Sequence, residues 1–194
     1  MPFAGVEKFE TGDVDVVPQL TRLKQAGADV LFLVANVAPS SQVVKSLDRM
    51  SWDVPIVSHW GPAGGRFSEL AGASAAKVHF IQTFSFSGND SPKAKALFEA
   101  LRKKYPEIKS FADVTPAVGI ANAYDAAHLI GLAIAKAGST EGPKIRAALY
   151  EIDKYDGLIK TYAKPFTPTN HDALSAEDYI FTYFKGDEIL PLTH

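Results

Sequence analysis

Two side chains that could do chemistry, His59 and Trp60, stand next to each other in the stretch PIVSHWGPAGGRF. An imidazole titrates near neutral pH and could act as a general base, and an indole could form the wall of a pocket for a small organic molecule. The glycines at Gly61, Gly64 and Gly65 would let the backbone approach a phosphate. The stretch therefore has three interpretations: a catalytic corner, a pocket wall or a phosphate loop.

The residue types disfavour the phosphate loop and the catalytic corner. GPAGG has neither the Gly-Lys-Ser/Thr ending nor the Gly-x-Gly-x-x-Gly spacing of nucleotide-binding loops, and no Gly-x-Ser-x-Gly elbow accompanies His59. His171 beside Asp172 could begin a metal site, but further ligands are missing because His79 and His128 stand alone in apolar segments. We therefore predict that the protein is not an enzyme and that it binds no metal or other cofactor.

Aromatic residues follow the predicted strands at Trp60, Phe84 and Phe86. Core packing explains any one of them, but together at a ligand edge they would form an apolar wall with one indole donor. Tyr124 and Asp125 interrupt an apolar helical segment. We expect the Tyr124 ring to be buried, and Asp125 requires a hydrogen-bonding partner or a path to solvent.

The composition argues against several classes of function. The 194 residues carry a formal net charge of −2 without a basic stripe, which argues against nucleic-acid binding. The absence of cysteine excludes disulfides, thiolate metal sites and cysteine nucleophiles. The N-terminal residues show no signal-peptide pattern, and we predict that no apolar run is long enough to span a membrane.

The first half of the chain alternates between helical and strand patterns. The apolar runs ADVLFLVAN, VPIVSHW and KVHFIQTFSF predict buried strands, and helices are predicted before and between them, one of them capped by Ser40 or Ser41. GVEKFE resembles the tail of a further strand. This alternation predicts an α/β fold with a parallel sheet and flanking helices, in which ligands bind at the carboxyl ends of the strands. Three strand ends should converge there: Asn36 with Val37, His59 to Gly61, and Phe84 to Ser87.

The second half is helical and then returns to strands. PKAKALFEALRKKYP, the long alanine-rich DVTPAVGIANAYDAAHLIGLAIAKAGS and EGPKIRAALYEI each predict a helix, and Gly138 should end the long one. GLIKTYAKPF and DYIFTYFKGDEILPL predict strands, with a tight turn at KGDE in the second segment.

Three segments in order resemble the branched-chain-amino-acid-type periplasmic binding proteins, the solute receptors of ABC importers: GADVLFLVANVAPSSQVVKSLDRMSWDVPIVSHWG, AYDAAHLIGLAIAKAGS and GLIKTYAKPFTPTNHDAL. The resemblance implies two α/β lobes that close on a ligand, of which this chain would supply the C-terminal half. Residues 1–87 would then be the α/β core of lobe two and residues 88–153 a helical block that packs on lobe one. Residues 154–194 would return through the hinge as closing strands.

The same resemblance implies positions for ligand contacts. Relatives that bind amino acids would contact the ligand at positions matching Asn36 or Val37, with an acidic residue at the position of Trp60 and an aromatic one at the position of Gly119. Because Trp60 cannot pair with an ammonium group, the departure favours an amide, a carboxylate or an aromatic acid over a plain aliphatic amino acid. The predicted ligand-binding residues are Asn36, Val37, His59, Trp60, Gly61, Phe84 and Gly119.

The resulting prediction is a periplasmic or other extracytoplasmic solute-binding component that delivers a small molecule to an inner-membrane ABC permease. A ligand-sensing domain of a receptor or regulator and a small α/β hydrolase using His59 or His171 are the alternatives. Because the long helix is apolar on most faces, we also expect self-association or a partner chain that covers it.

Overall fold

The computed structural model describes residues 3–192, so the outer ends of the first and last predicted regions, residues 1, 2, 193 and 194, lie outside the description. Within it, a mixed five-stranded sheet is flanked by helices and followed by a helical block with a small hairpin. The elements are α1 Val17–Gln25, β1 Leu31–Leu33, α2 Val37–Arg49, β2 Ile56–Ser58, α3 Phe67–Ala71, β3 Val78–Gln82, α4 Pro92–Lys104, α5 Ala117–Ala137, α6 Gly142–Leu149, β4 Lys154–Asp156, β5 Thr161–Ala163, β6 Ile180–Lys185 and β7 Glu188–Pro191.

The main sheet has the strand order β1-β2-β3-β6-β7. β1, β2 and β3 are parallel, as the alternating pattern predicts. β6 runs antiparallel to β3, and β7 antiparallel to β6, so the sheet is mixed rather than wholly parallel. The turn at KGDE joins β6 to β7 because Gly186 adopts a positive φ of 61°, which makes a tight hairpin possible.

One face of this sheet carries the largest hydrophobic cluster. Alternate residues such as Leu31, Ile56 and Phe80 point to this face, where α1, α2 and α3 cover them. The buried members are Val16, Leu20, Leu31, Leu33, Val43, Val44, Leu47, Val54, Ile56, Ala63, Phe67, Ala71, Ala75, Val78, Phe80 and Phe184. α2 connects β1 to β2 and α3 lies between β2 and β3, so these two helices of the covered face belong to connections between parallel strands.

The helical block forms two smaller clusters that join α4, α5, α6 and the β4–β5 hairpin. α5 buries a single stripe of residues, Val118, Ala121, Asp125, Leu129 and Ala133, and ends at Gly138 in the left-handed conformation. This helix has 21 residues, and an 18-residue window within it has a mean hydropathy of 1.3, so by length and composition it could cross a membrane, contrary to the prediction that no run is long enough. Its buried Asp125 binds the hairpin, which indicates packing within the folded domain.

Two local predictions were wrong and one strand was missed. α2 begins at Val37 with Asn36 as its N-cap, whereas Ser40 and Ser41 lie inside the helix and donate to the carbonyls of Ala35 and Ala38. GVEKFE forms no strand, and it pairs with none of the described strands. β4 was not predicted, since its residues Lys154–Asp156 lack an apolar alternation and are held by cross-strand pairing with β5.

Candidate functional site

The loops after β1 and β2 touch each other at the carboxyl edge of the sheet. Ser58, the last residue of β2, donates from Oγ to the carbonyl of Leu33 at 2.7 Å and so joins the two strand ends. A Cβ atom placed on Gly61 would lie 2.1 Å from the carbonyl oxygen of Ala35. A glycine is therefore needed at this position for the two loops to approach, and Gly61 is a packing residue of the edge.

His59 holds the turn that follows β2. Its Nδ1 accepts a hydrogen bond from the Gly61 backbone N–H at 2.8 Å, so a proton on the neutral ring lies on Nε2. The ring is half-buried and stands beside the approach of Gly61 to the first loop. The geometry makes His59 a residue that shapes the loop while its Nε2 can still donate to a ligand.

The N-terminus of α2 opens at the same edge. Asn36 is exposed, and its side chain makes no capping hydrogen bond to the helix. Val37, the first helical residue, packs its methyl groups against the position where a Cβ of Gly65 would lie, at 3.2 Å. A free amide side chain and the first backbone N–H groups of a 13-residue helix thus share one corner, a setting that favours an anionic group.

Trp60 and Tyr179 form an aromatic pair across the edge. Their ring planes lie within 13° of each other and their centroids are 6.4 Å apart. Trp60 follows β2, and Tyr179 immediately precedes β6, which pairs with β3 through Gln82 and Ile180. Trp60 keeps 46% of its surface exposed and Tyr179 keeps 37%, so the pair presents an open aromatic surface.

α5 reaches this edge through Asn122. Its Nδ2 donates to Oγ1 of Thr83 at 2.9 Å, directly after β3, and to the Val118 carbonyl at 2.8 Å. Gly119 lies one helical turn earlier and is exposed, and a Cβ there would lie 3.0 Å from Cγ of Pro116. Gly119 is thus on the side of α5 that faces the edge but offers no side chain for contact.

Phe84 and Phe86 do not lie beside Trp60 at the carboxyl edge of the sheet, where they were predicted. Both are buried in the cluster of the helical block, where Phe84 meets Phe86 edge to face and Phe86 stacks on Phe111. The chain leaves the sheet after β3 and enters this cluster, so neither ring pairs with Trp60. The predicted aromatic wall of Trp60, Phe84 and Phe86 is wrong, and Tyr179 takes the place assigned to the phenylalanines.

The remaining histidines have local roles. His171 stacks on Tyr150 with ring centroids 5.9 Å apart and shares a hydrogen bond with its hydroxyl at 3.1 Å, and His128 lies 4.4 Å from the ring of Tyr124. Between residues 3 and 192, no three His, Cys, Asp or Glu side chains come together as a metal site would require.

An open groove adjoins the aromatic pair. It has a volume of about 600 Å³ and lies between α5 and the loop before β6, with Asn122 and Tyr179 among its lining residues. Phe166, Leu129 and Leu174 supply its apolar side, and the main polar groups are those of His171, Asp172 and Ser175. The volume is within the range of pockets that bind small organic molecules.

Comparison with known proteins decides the family. The sequence profile described as periplasmic binding protein matches residues 1–186. The chain belongs to the periplasmic binding protein family. A comparison with curated proteins gives no significant match.

Solved periplasmic binding proteins share the fold of this chain. A type 1 periplasmic binding protein from Bordetella pertussis Tohama I has a TM-score of 0.79 and 22% identity, with 95% of this chain and 51% of that chain covered. The isoleucine complex of LivJ from Streptococcus pneumoniae has a TM-score of 0.73 and 25% identity, covering 95% and 51%. A Rhodopseudomonas palustris solute-binding protein in complex with 4-hydroxybenzoate has a TM-score of 0.72 and 20% identity, covering 96% and 50%.

This member of the family spans about half the length of these solved relatives. The sequence located Asn36, Val37, His59, Trp60 and Gly61 at one edge because they follow buried parallel strands. Asn122 and Tyr179 were missed. Asn122 is a polar residue between two alanines, and Tyr179 is an aromatic residue just before a strand pattern, so neither gives a signal until the strand order is known.

Proposed function

We propose that this chain is the ligand-capturing part of an ABC-importer solute-binding protein and that its ligand is a small aromatic or other organic acid. The family match supports the solute-binding role. The observation that carries the choice of ligand is the open pair of Trp60 and Tyr179 beside the N-terminus of α2. Capture requires no bond-breaking chemistry, and the relatives are binding proteins.

The aromatic pair supports a flat apolar ligand body. A ring that extends the stack of Trp60 and Tyr179 would gain roughly 0.5–1.5 kcal/mol beyond its area burial. The exposed fractions of the two side chains leave room for such an addition. An aliphatic ligand would gain the burial but not the ring geometry.

The corner at Asn36 supports a carboxylate on that ligand. A carboxylate there would accept from the Asn36 amide and from the N–H groups of Val37 and Ala38, the free ones of the first turn because Pro39 has none, with favourable helix-dipole electrostatics. Nε2 of His59 is a further donor on the same edge, whereas both N–H groups of the Asn122 amide are already bonded to Thr83 and Val118. Trp60 supplies no negative charge for an ammonium group, so the edge suits an acid better than an amino acid.

The proposed mechanism is capture between two lobes. This chain would supply one wall, and closure of a second lobe would shield the ligand and favour the closed state by its differential contacts. Delivery to a membrane permease and an extracytoplasmic location follow from the same role. The division of the chain at residues 87 and 153 into lobe-two core, lobe-one helical block and closing strands belongs to this proposal.

Chemical-shift mapping tests the ligand class. Isotope-labelled protein is titrated with 4-hydroxybenzoate and, in parallel, with isoleucine, while the side-chain signals of Trp60, Asn36 and Asn122 are followed. We expect saturable shifts at all three with 4-hydroxybenzoate. Because this chain would contact the ligand from one side only, the dissociation constant should be about 1 mM, equivalent to about 4 kcal/mol of binding free energy. Isoleucine should shift them less.

Two outcomes would contradict the proposal. Tighter binding of isoleucine than of 4-hydroxybenzoate would exclude the preference for an aromatic acid. Saturable shifts confined to the groove residues His171 and Ser175, with Trp60 and Asn36 unchanged, would move the site away from the edge. Trp60→Ala is the decisive variant, and Tyr105→Ala, an aromatic of similar exposure on the turn after α4, is its matched control.

A further inference from the structure

Tyr179, one ring of the aromatic pair, lies in a turn with little hydrophobic support. The turn comprises residues 175–179 and leads directly into β6. None of residues 173–179 belongs to the three hydrophobic clusters found among residues 3–192. The chain before the turn adds no support, since residues 168–172 are all exposed. The position of the Tyr179 ring therefore depends mainly on polar contacts and on the strand that follows it.

Asp178 gives this turn its shape. Its Oδ2 accepts hydrogen bonds from the backbone N–H of Ser175 at 2.7 Å and from the Ser175 hydroxyl at 3.0 Å. The N–H of Asp178 donates in return to the Ser175 carbonyl at 3.1 Å. These bonds join residues only three positions apart, so they fix the form of the turn but not its place on the domain.

Lys160 connects the turn to another part of the molecule. Its Nζ donates to Oδ2 of Asp178 at 2.5 Å. The side chains of Lys160 and Asp178 are 27% and 15% exposed, and no other ion pair within residues 3–192 is so well shielded at both partners. Shielding from water strengthens the attraction between two charges, so this pair should hold its partners more firmly than the exposed pairs do.

The backbone of Lys160 is itself anchored to α5. The two residues before it, Leu158 and Ile159, donate their N–H groups to the Asp125 carboxylate at 2.6 and 2.9 Å. The Lys160 carbonyl accepts from the N–H of Gly157 at 2.9 Å, which closes the turn of the β4–β5 hairpin. The ammonium group thus extends from a fixed point of the hairpin to the turn before β6.

Tyr179 is therefore held through both of its neighbours in the chain. Asp178 is bonded to Lys160 of the hairpin, and Ile180 pairs with the last residue of β3 in the main sheet. Between these two anchors the tyrosine ring lies within 13° of the plane of Trp60. A displacement of Asp178 would turn the backbone at Tyr179 and change the angle and distance between the two rings.

We propose that Lys160 is a positioning residue of the ligand-binding wall. Through its ion pair with Asp178 it holds Tyr179 in the stack with Trp60. The inference rests on the proposed function in treating this stack as the wall that binds the ligand. Lys160 acts in this role without contacting the ligand, because its Nζ is bonded to Asp178 and lies over the ring of Tyr162, 5.7 Å from the centroid.

The indole N–H signal of Trp60 tests this role without any ligand. In isotope-labelled protein, Lys160→Met should move that signal part of the way towards its position in Tyr179→Ala, because a loosened stack weakens the ring-current effect of the tyrosine. Lys160→Arg keeps a cationic donor within reach of Asp178 and should restore the original position. The signal of Trp52, which packs against the core of the main sheet, should stay unchanged and is the internal reference.

Lys93→Met is the matched control. Lys93 on α4 forms an ion pair with Asp156 on β4 at 2.6 Å, so this variant removes a bond of the same kind from the same hairpin but leaves the turn before β6 untouched. The Trp60 signal should not move. A Trp60 signal that stays in place in Lys160→Met, that moves equally in Lys93→Met, or that Lys160→Arg does not restore overturns the proposal.

A second variant guards against misfolding. If Lys160→Met changes the circular dichroism spectrum, Asp178→Asn serves instead. The amide oxygen can still accept the two bonds from Ser175, whereas the negative charge that holds the ammonium group is gone. The Trp60 signal should again move towards its position in Tyr179→Ala, and an unchanged signal in a folded Asp178→Asn protein overturns the proposal.

Titration with 4-hydroxybenzoate separates this inference from the proposed function. Lys160→Met should weaken binding about threefold, while Lys160→Arg and Lys93→Met should bind as the unchanged protein does. Equal affinity of Lys160→Met and the unchanged protein would show that the positioned ring is not part of a binding wall. If the unchanged protein does not bind the compound at all, the proposed function fails, and the ligand-free signal of Trp60 alone decides whether Lys160 positions Tyr179.

Discussion

Asp125 on α5 accepts a hydrogen bond from the hydroxyl of Tyr162 on β5 at 2.8 Å. The same carboxylate accepts from the backbone N–H groups of Leu158 and Ile159, at 2.6 and 2.9 Å, and is almost fully buried. Gly157 completes the arrangement, because a Cβ there would lie 2.8 Å from both carboxylate oxygens. Asp125, one of the two polar residues that interrupt the apolar helix, thus ties the β4–β5 hairpin to α5.

Replacing Asp125 should destabilise the fold. Asp125→Ala would leave two buried N–H groups and a hydroxyl without partners, so we expect the free energy of unfolding to fall by about 3 kcal/mol. Tyr162→Phe removes only one of these bonds and should lower it by about 1–2 kcal/mol. Urea unfolding followed by circular dichroism measures both. Asp53→Ala, which removes an exposed partner of Lys77, should change stability by less than about 0.5 kcal/mol and is the control.

The hairpin should also make stability depend on alkaline pH. Burial, with the negative charge of Asp125 second, raises the pKa of Tyr155 to about 12, and burial followed by the Asp125 hydrogen bond raises the pKa of Tyr162 further. An unfolded tyrosine has a pKa of about 10. Both groups therefore hold their protons longer in the folded state, so their contribution is complete below pH 10 and is lost as pH rises towards 12 and beyond.

Urea unfolding at a series of alkaline pH values checks this dependence, with tyrosinate absorbance recorded in parallel. The stability of the Tyr155→Phe, Tyr162→Phe double variant should decline less steeply above pH 10 than that of the unchanged protein. Equal slopes would show that neither hydroxyl carries the effect.

The contact between the loops after β1 and β2 predicts that alanine destabilises the protein at Gly61 but not at Gly131. Gly61→Ala would push a methyl group against the Ala35 carbonyl, so we expect a loss of about 2 kcal/mol in stability and weakened ligand binding. Gly131→Ala is the matched control. Nothing lies within 4 Å of its added methyl group, and alanine in a helix interior should stabilise α5 by up to about 1 kcal/mol. Equal thermal shifts in the two variants would contradict the close approach.

Tryptophan fluorescence can follow the aromatic pair directly. The chain has two tryptophans, so Trp52→Phe leaves Trp60 as the sole indole reporter. In that background Tyr179→Ala should shift the emission of Trp60 to longer wavelength and weaken 4-hydroxybenzoate binding about fivefold, the loss of about 1 kcal/mol of ring packing. Tyr105→Ala should leave both quantities unchanged. An unchanged emission spectrum in Tyr179→Ala would show that the rings do not stack in solution.

Most of the sheet and helices could be predicted because burial imposes a period on the sequence. ADVLFLVAN and KVHFIQTFSF are apolar runs; the centre of the first forms β1 and the first half of the second forms β3. β4 could not be found, since the pairing that stabilises Lys154–Asp156 comes from β5 rather than from its own residues. The start of α2 was misplaced because a serine in the first turns resembles a cap, although Ser40 bonds the carbonyl of Ala35 instead.

The candidate site was predictable only where it follows the parallel strands. Asn36 and Trp60 are in place because strand ends of a parallel sheet share an edge. Tyr179 joins them through an antiparallel pairing between β3 and β6, segments about a hundred residues apart, which no local pattern reports. Phe84 was misassigned because the sequence pattern of an aromatic residue after a strand does not distinguish a side chain at the edge of the sheet from one buried in a second hydrophobic cluster.

The pairing of β6 with β3 has a consequence for the order in which the protein is assembled. A ribosome delivers Trp60 and β3 long before Tyr179, so until the last strands emerge β3 is an edge and the indole has no partner. The proposed binding wall is therefore among the last parts of the molecule to form. Loss of the C-terminal strands during synthesis or by proteolysis would remove Tyr179 from that wall and would also take Phe184 out of the core beneath α1, α2 and α3.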